Sequence, residues 1–328
     1  MARPPSYRRS GPAGHPVLAR WLDGAEQAAR SICSRKEVKR LAAASVPVTV
    51  GLTAARRRLG IHPAVTLVIG CAIPLGCAIA LPRGRRRYIA VGAAYMWLFK
   101  TSWELPYDDP EKLRRRLLVD EPIRYDALLG GGVPPGVRLQ RALHTRGEAN
   151  AFDKAMALVY GSWFLPHILL GYLAWRHHEY FPRAGGRLSA TYHLTTPFYW
   201  VTPEAPPWWA SEKGGRMDGE LERILRVVVC DVLRRPPPAD GAVPGNPWGS
   251  MPSDHIASAA ITAMGLSEVS VAYGVLGWSY VAAASFAVVY LGEHYVVDVI
   301  VGLACAELAR RLEPLAAPFV RAVARAVE

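Results

Sequence analysis

Lysine is nearly absent from this sequence: of 39 basic residues six are Lys and the other 33 are Arg. Neither type occurs between residues 256 and 309. An apolar block of that length exceeds two membrane-spanning helices at about 20 residues each. Set in a chain that is 51% hydrophobic with a formal net charge of +12, it argues against a disordered chain, a small secreted scaffold and an ordinary cytosolic domain.

Cysteine is scarce as well. The five, at 33, 71, 77, 230 and 305, show no metal-ligand spacing, and three lie in apolar runs where a thiol behaves as a small hydrophobe. No nucleic-acid recognition motif accompanies the arginines, so nucleic acid is not an expected partner. The first 40 residues have no hydrophobic central stretch; no cleavable leader is expected, and the membrane segments themselves act as the targeting signal. What the arginines do is punctuate apolar runs, at 56–58, 85–87 and 114–116, which is the pattern of membrane flanks.

The chain divides accordingly. Residues 1–41 form a basic cytoplasmic tail, ordered at most in part, and 42–82 hold N-terminal apolar helices, of which 42–55 is short and contains Pro47. A membrane domain covers 83–315, followed by a basic cytoplasmic tail at 316–328. Within the domain, 104–150 mixes leucines with arginines, as interfacial helices do, and a hydrophilic outer loop runs over 204–252. Expected spans are 63–81, 88–103, 155–175, 188–201, 256–271, 275–291 and 296–312, or eight with 42–55. Arg310, Arg311, Arg321 and Arg325 place the C-terminus inside, so the helix beginning at His255 and the last helix both start at the outer face. The arginines at 114–116 and those between 216 and 235 then fall outside, against the positive-inside tendency, as they would if they served an anionic ligand.

Two short motifs put ionisable groups at helix margins. Gly249-Ser250-Met251-Pro252-Ser253-Asp254-His255 precedes the block without basic residues, and its Pro-Ser-Asp suits a helix start. In Tyr290-Leu291-Gly292-Glu293-His294-Tyr295-Val296-Val297-Asp298, His294 and Asp298 are four apart and share a helix face, so the carboxylate can hold one ring nitrogen and aim the other. Each motif alone also reads structurally, as a cap or as an interhelical hydrogen bond. Together they supply two imidazoles and an orienting carboxylate at one membrane face, the parts for phosphoryl transfer through a phosphohistidine, with helix-start N–H groups for the phosphate and no metal or cofactor.

With these residues the sequence resembles the type 2 phosphatidic acid phosphatase (PAP2) superfamily. Pro252, Ser253 and His255 match its second motif; His294 and Asp298 match its third. The resemblance implies an all-α polytopic membrane helical bundle, with a six-helix core and an additional N-terminal hairpin or interfacial helix. It implies His294 as nucleophile, Asp298 as its orienting partner, His255 as acid and base, and Ser253 as a phosphate contact. Two departures stand out. Ala287 and Val288 occupy the third motif's usual Ser-Arg positions, and the first motif is not found; Arg235-Pro236 is the nearest approach, with Val228 seven residues earlier. The segment Ala205-Pro206-Pro207-Trp208-Trp209 and the run from Tyr290 to Tyr295 resemble a subgroup that contains the inositol phosphorylceramide synthases.

With the usual arginine missing, the candidates for neutralising phosphate are Arg216, Arg223, Arg226, Arg234 and Arg235 in the outer loop, then Arg124 and Arg138 in the interfacial stretch. Each also reads as a lipid-headgroup or solvated charge. Asp254, where the family commonly has Gly, either accepts hydroxyls of a polyol head group or caps the helix. His167 reads as structural, and Trp208 and Trp209 as an interfacial belt. The expected protein is an integral enzyme of a bacterial plasma membrane. Its site would lie at the outer face, and its substrate would be a phospholipid or a polyprenyl-phosphate-type lipid. The acceptor is water or an alcohol, and no oligomeric state is specified. A non-catalytic transporter or scaffold is the alternative from a different class.

Overall fold

The computed structural model describes residues 16–176, 181–236 and 245–326. The first fifteen residues of the expected tail, His177 and His178 at the end of an expected span, 237–244 of the outer loop and the last two residues lie outside the described residues. Among those described there are sixteen α-helices and no strand, as an all-α bundle requires. Residues 16–102 with 312–326 belong to one compact unit, and Trp103–Arg311 forms the other.

In the first unit, α1 (Pro16–Cys33), α2 (Lys36–Ala54), α3 (Arg56–Leu59), α4 (Pro63–Ala80) and most of α5 (Arg85–Glu104) follow in order. The expected tail is therefore helical from Pro16, where four alanines in eighteen residues favour helix over coil. A core of Ile73, Cys77 and Ala94 packs with Val46, Val50 and Trp97. The Trp97 indole N–H donates to the Thr53 hydroxyl at 2.9 Å, so α2, α4 and α5 are joined by packing and by a half-buried polar contact.

The second unit begins with a 3-10 turn at Leu105–Asp108. It continues through α6 (Pro110–Arg114), α7 (Asp120–Leu129), α8 (Pro135–Leu143), α9 (Ala151–Gly161), α10 (Leu165–Arg176), α11 (Phe181–Val201), α12 (Pro207–Glu212), α13 (Ile224–Leu233), α14 (Asp254–Val269), α15 (Val271–Tyr290) and the first half of α16 (Val296–Ala326). The α14–α15 hairpin is tight because Ser270 ends one helix and caps the next, its hydroxyl accepting the Tyr273 N–H at 3.2 Å. Arg187 of α11, itself buried, reaches Glu268 of α14 at 2.7 Å and ties those two helices together.

Two helices among the described residues, Pro63–Ala80 and Val271–Tyr290, are long and apolar enough to cross a membrane. A bent pair, Ala151–Gly161 with Leu165–Tyr172, makes a third if it is one span. Seven were expected, or eight with 42–55, and the difference has local causes. Helix α14 has only 16 residues, α5 opens on three arginines, and α11 carries Arg183 and Arg187. The span expected at 155–175 breaks at 162–164 with a 48° bend. There the Ser162 hydroxyl turns back to the Val159 carbonyl at 2.7 Å, and Pro166 follows in the first turn of α10. The outer loop is not a plain loop either. It folds into α12 and α13, and Trp208 and Leu221 pack with Val137 of α8.

Candidate active site

Three backbone segments meet where the two motifs lie. The N–H of Ser253, the residue before α14, donates to the Asp298 carbonyl in α16 at 3.1 Å. This approach depends on Gly302: a Cβ there would stand 2.6 Å from the Ser253 carbonyl oxygen. Between α15 and α16, Glu293 and His294 both donate their N–H to the Val288 carbonyl, at 3.0 and 3.1 Å. That turn needs Gly292, at φ +76°. The third segment is held by bridges that set Leu118 beside Glu204 and Glu204 beside Gly249. They carry Ser250 into the site.

The rings of His255 and His294 then face each other, centroids 5.5 Å apart and planes at 65°. His294 is buried; its Nδ1 lies 3.2 Å from Asp298 Oδ2. The same oxygen accepts the Ser250 hydroxyl at 2.6 Å and the Tyr295 N–H at 3.0 Å. With Nδ1 turned to Asp298, Nε2 is the ring nitrogen left for a reaction partner. Tyr160 of α9 stacks on His255 at 4.7 Å, and Trp163 meets it edge-on at 6.2 Å. The break between α9 and α10 thus positions two aromatic rings against one histidine.

Acidic groups crowd the other side. Asp126 of α7 accepts the N–H groups of Val296 and Val297 at 2.7 and 3.2 Å, and so caps α16 from a distant element. Burial pushes its carboxyl up to about 6 even against those two hydrogen bonds. Glu204 is buried too, and burial first, then the charge of Asp298, holds its carboxyl well above the usual range.

Of the seven candidate arginines, Arg223 lies beside the His294 turn. Its guanidinium grips Glu293 at 2.7 and 3.1 Å and covers the Trp208 ring at 4.3 Å. Tyr160, against His255, lies within electrostatic reach of both Arg223 and Glu293. Arg216 pairs with Asp120 at the surface, and Arg226 forks onto Glu212. Arg234, Arg235 and Arg124 are exposed, and Arg138 bonds the Gly131 carbonyl. Ser253 is fully buried with its hydroxyl unpartnered. Asp254 accepts the Tyr199 hydroxyl at 2.6 Å, which joins α11 to the start of α14. His167 hydrogen-bonds Tyr192 across α10 and α11 at 2.5 Å.

A family model described as the PAP2 superfamily matches residues 134–312. The chain belongs to the PAP2 superfamily. No curated protein and no solved structure matches it. Membership brings phosphatase or phosphotransferase chemistry, lipid phosphates as the substrate class and an integral membrane setting. The superfamily match contains both histidine motifs, the outer loop and Arg138, whereas Arg124 precedes it. Here Ala287 and Val288, at the third motif's usual Ser-Arg positions, are buried in the interior.

Sequence reasoning missed several groups around the site. Ser250 lies in the motif that ends at His255, three residues before Ser253, but its bond to Asp298 is not visible in that local pattern. Gln140 spans Glu222 and the Tyr290 carbonyl with three hydrogen bonds at 2.9 Å, and both ring nitrogens of His144 face carboxylates, Asp153 and Glu222, at 3.1 Å. These two residues fix residue 222 and hence the approach of Arg223. No local pattern marks them, since their partners lie up to 150 positions away.

Proposed function

We propose that this PAP2 superfamily protein cleaves a phosphoester of an amphiphilic lipid through a phosphohistidine on His294, at the outer face of a bacterial plasma membrane. The observation that carries the reading is the 5.5 Å approach of His255 and His294, with Asp298 holding the far nitrogen of His294. A scaffold needs no such convergence.

In the first step the Nε2 lone pair of neutral His294 attacks phosphorus, forming a P–N bond while the P–O bond to the leaving alkoxide breaks. His255 gives its proton to that oxygen. Asp298 stabilises the imidazolium that forms by accepting Nδ1–H. In the second step neutral His255 takes a proton from water or an acceptor hydroxyl, whose oxygen attacks phosphorus as the P–N bond breaks. Both histidines return to their starting states. Arg223 supplies the positive charge that Val288 does not, and Ser253, at the start of α14, offers the phosphate a hydroxyl.

The acceptor decides between hydrolysis and transfer of an inositol-phosphate-type head group, the reaction the Pro206-Pro207-Trp208 resemblance favours. Purified protein incubated with labelled phospholipid, with and without a polyol, separates them by scoring released phosphate against new lipid. His294-dependent product of either kind is expected. Absence of both from folded protein across lipid phosphates overturns the reading.

A further inference from the structure

The buried acids behind Asp298 exceed what the mechanism above uses. Glu204 is 1% exposed and Asp298 fully buried. Asp298 Oδ2 is satisfied three times over, by Ser250, Tyr295 and His294. Its other oxygen, Oδ1, is buried with no donor, and so are both carboxyl oxygens of Glu204. The two carboxyl groups lie within electrostatic reach of each other, and Asp298 raises the Glu204 carboxyl above its ordinary value. Two carboxylates cannot satisfy one another, because each only accepts; one carboxylic acid and one carboxylate can. We propose that Glu204 is a positioning residue, protonated and donating its O–H to Asp298 Oδ1, so that a single negative charge stands behind His294.

The proton belongs on Glu204 for a reason visible in the contacts. Asp298 receives an O–H and an N–H, which stabilise its charged form, whereas Glu204 receives neither. The groups facing Glu204 are acidic or neutral: Asp298 and Tyr295 from the last turn and α16, and Asp126 from α7. None of them would stabilise a second charge. The Glu204 backbone has no freedom to retreat, since its N–H donates to Trp248, Ala205 donates to Leu118, and the Ser250 N–H reaches the Glu204 carbonyl.

The consequence is chemical. A doubly charged pair would draw a proton onto His294 and remove the Nε2 lone pair that attacks phosphorus. A neutral Glu204 leaves His294 neutral and fixes the rotation of Asp298, hence the aim of the ring. This inference rests on the phosphohistidine reading, so its test includes a readout that needs no turnover.

Full-length wild type, Glu204→Gln, Glu204→Leu and His294→Ala are compared in detergent on a water-dispersible phosphatidic acid, and by infrared difference spectroscopy at neutral pH without substrate. Glutamine presents an N–H donor to Asp298 Oδ1; leucine presents nothing. Glu204→Gln is expected to keep most of kcat, and Glu204→Leu to lose about tenfold to a hundredfold in kcat with KM little changed, the scale of groups that orient a functional residue from behind. The protonated-carboxyl stretch present in wild type and His294→Ala is expected to vanish in Glu204→Gln. A Glu204→Gln variant as slow as Glu204→Leu, or a carboxylic acid band unchanged by the substitution, overturns the inference alone. Wild-type turnover by His294→Ala overturns the phosphohistidine reading and the inference with it.

Discussion

His255 and His294 bring their rings to 5.5 Å although the whole α14–α15 hairpin separates them in the chain. One begins the hairpin and the other follows its end, so a tight antiparallel pair returns the second histidine to the first. The chemistry proposed for this protein depends on that closure and on Gly302, which lets α16 approach the start of α14.

Gly302→Ala therefore tests the closure. Its new Cβ meets a backbone oxygen at 2.6 Å, and backbone cannot rotate away as a side chain can. The variant is expected to lose about 1–3 kcal/mol of stability, the range for overpacking a tight interior, and to lose activity as the histidines part. Unchanged melting temperature and turnover would show that the contact is slack.

Arg223 is expected to neutralise the phosphate. Arg223→Ala should lower kcat by about a hundredfold, or ~3 kcal/mol, the loss associated with one charge-assisted contact in the transition state. Arg216→Ala, which frees a surface aspartate from a solvated pair, should change kcat little. Equal effects of the two would remove Arg223 from its assigned role.

The stabilising contribution of a protonated Glu204 should fall as pH rises through the acidic range and beyond. Glu204 ordinarily titrates at 4.5, and in the fold burial and Asp298 hold it well above that value. A proton bound more tightly in the native state stabilises it fully below the ordinary value, and the contribution is lost as pH rises through the folded pKa. Asp126 acts in the same direction, between 3.8 and about 6. Melting temperatures of wild type and Glu204→Gln against pH check this. The variant has no charge to acquire and should decline less steeply above pH 4.5; parallel curves would count against a protonated Glu204.

Activity is expected to survive chelation. The sequence has no Cys, His or carboxylate spacing of a zinc or two-metal site. Loss of turnover in EDTA, restored by a divalent ion, would replace the mechanism.

The parts of this site that were legible in sequence are local in origin. The four-residue spacing of His294 and Asp298 signals their pairing, although His294 lies in the turn before α16 rather than on its face and Asp298 reaches back to it from the first helical turn. Pro-Ser-Asp marks the start of α14, although the Ser253 hydroxyl makes no capping bond there. Glu204 was only the edge of a loop in sequence, since its place comes from bridges to Leu118 and Gly249, which no periodicity records. Arg223 could not be ranked above Arg226 because what separates them is a distant partner: Glu293 in one case, Glu212 in the other. The broken span at 162–164 was hidden for a related reason. Its residues are apolar enough to continue a helix, and the Ser162 hydroxyl turning back to Val159 is a choice of geometry rather than of composition.

The most direct test of the central claim is rapid quenching of the enzyme with phosphoryl-labelled phosphatidic acid, followed by mapping of the label. An acid-labile, alkali-stable phosphoryl group on His294, absent from folded His294→Ala and accumulating when His255 is replaced, is the predicted result. Turnover without label on His294, or label on another residue in the wild type, would contradict it.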